Sequence, residues 1–385
     1  MFLVLSCSDP APPPPTPLED LAPPAPLEAP PPEAVDYLAL REAADQAVDQ
    51  ASGLDAGLAF VDRYVLSGDI QDMVEALGRF DEAGGGGAAR VEALLELHDV
   101  VGADTALRST GSDAQRARAA MLRGDYRTAE ELLVAAPSGL ATARAKARLY
   151  RATGRPSQAD AALAEALNSD LPPALAATVH AERAELDLDR RDASGALADL
   201  EALDAVMAGW WRADELRAQA LMLSGDPDAA LALLETWANA GQRPELIDVA
   251  AQATLAAGLP AKASTWAASA LGDHHRRFEV AAAAAAGPLI GHWLTFEDGE
   301  PDQVLALAEE QARVLGDVTT LTLLAHTRLV TGDPSGAITA AERALASGAS
   351  TRALHEVAAA AFRALGDGEA AAAQEAQAMR LRTAG

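Results

Sequence analysis

A short glycine turn recurs along this chain at intervals close to 34 residues, and few architectures tolerate such a repeat. Candidate turns fall at Gly68 (SGDI), Gly102 (VGAD), Gly124 (RGDY), Gly154 (TGRP), Arg191 (RRDA), Gly225 (SGDP), Gly258 (AGLP), Gly299 (DGEP), Gly332 (TGDP) and Gly366 (LGDG). Their separations are 34, 22, 30, 37, 34, 33, 41, 33 and 34. Glycine takes the left-handed conformation that closes a first helix. The Asp or Pro that follows suits the entry to a second helix, where Asp also opposes the positive end of the dipole. Turns this short make the flanking helices antiparallel. Met121 to Leu133 (MLRGDYRTAEELL) displays the unit most clearly.

Composition agrees with helices. Half of the 385 residues are hydrophobic but only 4% are aromatic, and the apolar content is chiefly Ala and Leu. Both lose little side-chain entropy in a helix. No run approaches the roughly 18 apolar residues of a membrane-spanning helix; Val280 to Ala286 reads as two turns of buried helix closed by Gly287-Pro288. The formal net charge of −27 argues against nucleic acid as a partner, since phosphate backbones attract clustered Lys and Arg. Cys7 is the only cysteine, which excludes an intrachain disulfide and a cysteine-rich metal site.

Small residues keep register with the turns. Seven positions before the turn stand Ala117, Ala147, Ala184, Ala218, Ala251, Ala325 and Ala359; five after it, Ala129, Ala159, Ala196, Ala230, Ala263, Ala337 and Ala371. Seven further on stand Ala136, Ala166, Ala270, Ala344 and Ala378. With the turn and the period, these columns resemble the tetratricopeptide repeat over residues 53–382. The resemblance implies an all-α fold, a right-handed α-solenoid of antiparallel helix pairs, with about nine to ten hairpins over residues 53–385. It also implies a concave groove, lined by the first helix of each pair, that binds a protein or peptide partner. The family's large aromatics are mostly absent, with Phe60, Tyr64, Tyr150 and Phe362 scattered. The 22-residue spacing predicts a shortened second helix near Thr105 to Ser109, and the 41-residue spacing an insertion or longer helix pair around Gly272 to Pro288. Gly84 to Gly87 reads as a flexible connection, because no Lys or Ser/Thr follows in phosphate-loop spacing. Residues 35–52 read as a capping helix with Val35, Leu38, Leu40 and Val48 as its apolar contacts.

The first residues carry a different signal. Residues 1–7 (MFLVLSC) resemble the end of a bacterial lipoprotein signal, with small Ser6 before the cysteine that the resemblance makes the lipidated residue, Cys7. The apolar stretch is short and lacks a basic start, which a translation start assigned too far downstream accounts for. Residues 8–34 are rich in proline, and such a tract is an extended spacer rising about 3.1 Å per residue. The expected location is therefore the bacterial cell envelope, lipid-anchored at the membrane, with a soluble cytoplasmic adaptor as the alternative.

No catalytic motif is present: there is no HExxH, GxSxG, Walker loop or dinucleotide fingerprint. The chain reads as non-enzymatic, without cofactor or metal; an α/α-toroid hydrolase is the enzyme alternative. His274-His275-Arg276-Arg277 reads as a polar loop at the inserted repeat, although His292 could approach it. The sharper candidate lies between Arg108 and Arg155, a stretch with a local charge of +6 in this acidic chain. Arg144, Arg148 and Arg151 share one helical face, and with Arg118 they fall at groove-facing positions of the repeat. Arginine's planar fork suits carboxylates, so these four form a candidate pocket for an acidic segment or a C-terminal carboxylate. The alternative is that they balance acidic faces of neighbouring repeats.

Overall fold

The structure, a computed structural model, describes residues 34–240 and 243–383. Cys7 and the proline tract up to residue 33 lie outside the described residues. The fold is an all-α solenoid. A two-residue strand β1 (Val35–Asp36) leads into α1 (Tyr37–Gln50). Helix pairs follow: α2 (Gly53–Ser67) with α3 (Ile70–Glu82), α4 (Gly87–Glu96) with α5 (Val100–Leu107), α6 (Asp113–Leu122) with α7 (Tyr126–Ala135), α8 (Leu140–Ala152) with α9 (Pro156–Leu167), and α10 (Pro173–Asp189) with α11 (Ala193–Val206). After the short strand β2 (Met207–Ala208) come α12 (Trp211–Leu223) with α13 (Pro227–Ala240), α14 (Pro244–Ala256) with α15 (Pro260–Val280), α16 (Ala282–Phe296) with α17 (Pro301–Val314), α18 (Val318–Val330) with α19 (Pro334–Ala346), and α20 (Arg352–Ala364) with α21 (Gly368–Thr383).

The turns work as their chemistry demands. At the RGDY turn, Gly124 has φ +77 and Asp125 caps α7 by accepting from the Thr128 amide at 3.0 Å. Asp69, Asp192, Asp226, Asp333 and Asp367 cap their helices in the same way. The alanine columns are buried where helices cross: Ala117, Ala129, Ala196, Ala218, Ala230, Ala325 and Ala337 have no exposed surface. Ala136 departs from its column because α7 ends one residue earlier and Ala136 is its extended cap.

Several expectations need correction. Gly102 is not a turn but lies inside α5, and the left-handed residue before that helix is His98 (φ 56). At the later pair Glu297 (φ 55), not Gly299, makes the turn. Leu38 is 65% exposed; Tyr37, at 5%, is the side chain that anchors α1. Gly86, expected in a flexible linker, has its φ of +101 pressed against the Phe80 ring, where a Cβ would lie 2.6 Å from Cγ. Gly287-Pro288 does not close a helix: Pro288 sits within α16, and the break falls at Ala281 (φ −144, ψ 68), one residue after α15. No polar loop exists there. The 21-residue helix α15 carries His274 to Arg277 in its last two turns.

The solenoid coils tightly enough for successive turns of the superhelix to touch. β1 pairs in parallel with β2, joining Val35 to Met207 and Asp36 to Ala208. The indole N–H groups of Trp210 and Trp211 both donate to the Leu66 carbonyl, at 3.0 and 2.9 Å. Further along, the Gly316 amide donates to the Leu122 carbonyl at 2.9 Å, and the Val318 amide to the Tyr126 hydroxyl at 2.7 Å. The Ser350 amide reaches the Ala152 carbonyl at 2.8 Å, and Arg352 Nε the Asp189 carbonyl at 2.8 Å. The accepting carbonyls sit at the ends of α2, α6, α8 and α10, where helical carbonyls lack partners of their own, and the Tyr126 hydroxyl stands at the start of α7. The concave face is thereby wrapped into an interior.

Candidate functional site

That interior is a cavity of about 660 Å³. Its wall is built almost wholly from first helices of the pairs, α4 through α20, with His98, Tyr126, His274, Gln311 and Asp317 as additions from outside them. Arg118, Arg148 and Arg151 line it, and Arg144, Arg148 and Arg151 line an adjoining cavity of about 330 Å³ beside Trp210 and Trp211. The four arginines expected to face the groove are therefore brought together on the inner surface.

Each of them is also ion-paired within the chain. Arg118 bridges Glu92 and Glu96, the latter at 2.7 Å. Arg144 grips Glu182 through Nε (3.1 and 3.0 Å) and Nη2 (2.8 Å). Arg148 reaches the same Glu182 Oε1 at 3.1 Å. Arg151 bridges Glu185 at 2.8 Å and Asp189, and Arg212 continues the ladder to Glu185 (2.6 Å) and Glu215 (2.7 Å). The local excess of +6 is thus neutralised largely from outside its own stretch, by Glu92, Glu96, Asp104, Glu182, Glu185 and Asp189. A signal for this existed: Arg148–Glu182 and Arg151–Glu185 are separated by 34 residues, one repeat period.

Electrostatics within the ladder favour the charged forms. Burial alone would raise the pKa of Glu96, but Arg118 and Arg148 outweigh it and leave the carboxyl at about 2. Glu185 is likewise buried, and Arg212 and Arg151 bring it to about 2. A carboxylate with a depressed folded pKa contributes stability that is present above its unfolded value of about 4.3 and lost as pH falls toward the folded one. Two groups act in the opposite senses at higher pH. Burial raises Asp187 to about 6, so its contribution is lost as pH rises; burial lowers His326 to about 4, so its contribution is lost as pH falls. They oppose each other between about pH 4 and 6.5. The unfolding midpoint is expected to change little from pH 6.5 to 4.5 and to drop below pH 4.5, with roughly 1–3 kcal/mol lost from the two glutamates after allowance for partial exposure. Thermal scans of the wild type and of Glu96→Gln/Glu185→Gln check this, because the double variant should start less stable and lose less on acidification. Parallel profiles would contradict it.

The histidines form a second cluster: His292 does approach His274, as allowed from the sequence, but on helices and not at a polar loop, and around Asp248, which was not anticipated. His274 Nε2 lies 2.8 Å from Asp248 Oδ2, and His292 Nδ1 lies 2.7 Å from Asp248 Oδ1. His292 Nε2 lies 3.0 Å from Asp298 Oδ2. Burial opposes a charge on His292, but hydrogen bonds to Asp248 and Asp298 prevail and raise its pKa to about 9. His275, by contrast, turns away to pack edge-on against Trp293 at 5.8 Å. The length of α15 creates this arrangement, since it carries His274 inward past the end of its own repeat.

No protein-family model matches the chain, and no curated protein matches its sequence. Solved structures do resemble it. The APC/C hetero-tetramer Cut9–Hcn1 superposes with a TM-score of 0.53 at 14% identity, over 90% of this chain and 73% of that one. A tetratricopeptide repeat protein from Parabacteroides merdae gives 0.33 at 12% identity over 85% and 98% of the two chains. Rap protein complexed with competence and sporulation factor gives 0.43 at 13% identity over 81% and 98%. At 14% identity the likeness to Cut9–Hcn1 concerns the fold alone, an all-α solenoid.

Proposed function

We propose that this chain is a non-enzymatic interaction scaffold that takes an acidic segment of a partner protein into its central cavity. It works at the bacterial cell envelope, held by a lipid on Cys7 and spaced from the membrane by the proline tract. The cavity volume of about 660 Å³ falls in the range of sites that enclose a ligand. The observation that carries the reading is the state of Arg148. Its side chain is 37% exposed, and its one bond in the ladder goes to an oxygen that Arg144 also holds at 2.8 Å. A partner carboxylate can therefore engage Arg148 while Arg144 keeps Glu182 neutralised. Glu96 and Glu185, at about 2, are shifted away from the range a general acid needs, which favours binding over hydrolysis.

Arg148→Glu is expected to reduce retention of the captured partner about 10–100-fold, the value of a charge-assisted contact. Affinity capture from intact envelopes with the full chain, wild type against variant, reads the difference. Unchanged retention by a folded variant would reject the acidic-segment reading. Metabolic labelling with a palmitate analogue, lost in Cys7→Ala, is the expected result for the anchor; no labelling of the wild type would leave the cytoplasmic adaptor as the reading.

A further inference from the structure

We propose that Asp248, His274 and His292 form a binding site for one divalent transition-metal ion of the zinc type, on the wall of the central cavity. The three offer one ligand atom each, all within 4.8 Å of one another. His274 and His292 have side chains 1% and 0% exposed, and both point their nitrogens at the same Asp248 carboxylate. Two imidazoles and a carboxylate are the donor set such ions prefer, and metals bound mainly by oxygen, such as magnesium and calcium, are disfavoured by it.

The surroundings supply what a bare His–Asp contact would not need. Asp298 lies 3.0 Å from His292 Nε2 and accepts that N–H, so when the incoming ion displaces the proton that Nδ1 shares with Asp248, the Nδ1 lone pair is left facing Asp248 and His274. A carboxylate on the far nitrogen of a liganding histidine fixes the ring's tautomer and raises its basicity. Charge also balances, because a divalent ion with neutral histidines offsets Asp248 and Asp298. Space can be made by small rotations. Ligand bonds of about 2.0–2.1 Å in tetrahedral array place donor atoms about 3.3 Å apart, against the 2.7 and 2.8 Å hydrogen bonds seen between Asp248 and the rings. All three residues line the cavity, so a fourth position is open to water or to a ligand held there.

The test is a titration of the full chain, stripped with chelator, using zinc chloride by calorimetry and cobalt(II) chloride by visible absorption. One zinc per chain and the d–d bands of a low-symmetry cobalt complex are expected. His274→Gln and Asp248→Asn should abolish that single binding event, and His275→Gln should leave it intact. Asp298→Asn keeps every ligand and should weaken zinc about 10–100-fold; it decides the matter if the ligand variants fail to fold. A folded wild type with no saturable binding at one equivalent would overturn the proposal. So would retention of zinc by a folded His274→Gln chain, or Asp298→Asn binding as tightly as the wild type.

Discussion

Replacing Trp211 with alanine is expected to cost about 3–5 kcal/mol, the range for truncating a buried large aromatic. Trp211 is only 9% exposed, stands edge-on to Trp210 at 6.3 Å, and lies under the Arg243 guanidinium at 4.1 Å. Its loss removes this packing and one of the two indole donors on the Leu66 carbonyl. Because that carbonyl ends α2, the damage falls on the contact between the first superhelical turn and the second. Chemical unfolding should register the loss, and limited proteolysis should cut α1 to α3 well before α18 to α21. Trp211→Phe separates the causes: it keeps most of the ring area and leaves Trp210 to hold Leu66, so a loss of about 0.5–1.5 kcal/mol is expected. Equal losses for the two variants would mean the hydrogen bond, not the packing, secures the contact.

Gly124→Ala is expected to cost about 2–5 kcal/mol, from two sources that a control can divide. Its φ of +77 costs a residue with a Cβ about 1–2 kcal/mol. The added Cβ would also lie 2.3 Å from the Gly316 carbonyl oxygen, a backbone atom that cannot swing aside as a side-chain tip can. Overpacking of that kind costs about 1–3 kcal/mol. Gly225 has a similar φ of +85 but nothing within 4 Å of the new Cβ, so Gly225→Ala carries the backbone term alone. Urea unfolding of both variants should show Gly124→Ala the less stable by about 1–3 kcal/mol. Equal destabilisation would mean that the turns of the coil do not press together at Gly316.

These two positions mark where the sequence stops being readable. The period, the glycine turns and the alanine columns are local features with a direct physical cause, and they specify the helix pairs. Turns at His98 and Glu297 escaped notice because a non-glycine residue can occupy the left-handed region when the helices around it are fixed by packing. Closure of the coil was not legible at all. It is made by carbonyls at Leu66, Leu122 and Ala152, which accept from the Trp210 and Trp211 indoles and from two main-chain amides, and by the fit of Gly124 against Gly316; no spacing along the chain marks these pairs.

The site was half legible for a similar reason. Arg118, Arg144, Arg148 and Arg151 could be placed on the inner face from the repeat register alone. Their partners could not be found by counting charge in one stretch, because Glu182 and Glu185 belong to the next repeat. A partner one period away would have been found for Arg148 and Arg151, whereas Arg144 and Arg118 pair at 38, 26 and 22 residues. The histidine cluster was left incomplete, with His292 near His274 but no Asp248, through a single wrong boundary. Treating Gly287-Pro288 as a terminator made a loop of the segment that α15 and α16 carry as helix, and only helices at that length bring His274 and His292 to Asp248.

The central claim is that the solenoid is closed on itself around an interior cavity. Amide hydrogen exchange at Gly316, Val318 and Ser350 tests it most directly, since each of these amides donates to a residue in the preceding superhelical turn: Leu122, Tyr126 and Ala152. None of the three is bonded within its own helix pair in this arrangement, so closure alone protects them. Residue-resolved exchange should find all three protected to a degree comparable with amides inside α18, and Gly124→Ala should speed the exchange of Gly316 and Val318 first. Exchange of all three at the rate of an unstructured peptide, in a chain whose helices remain protected, would contradict the closed coil and leave an open groove in its place.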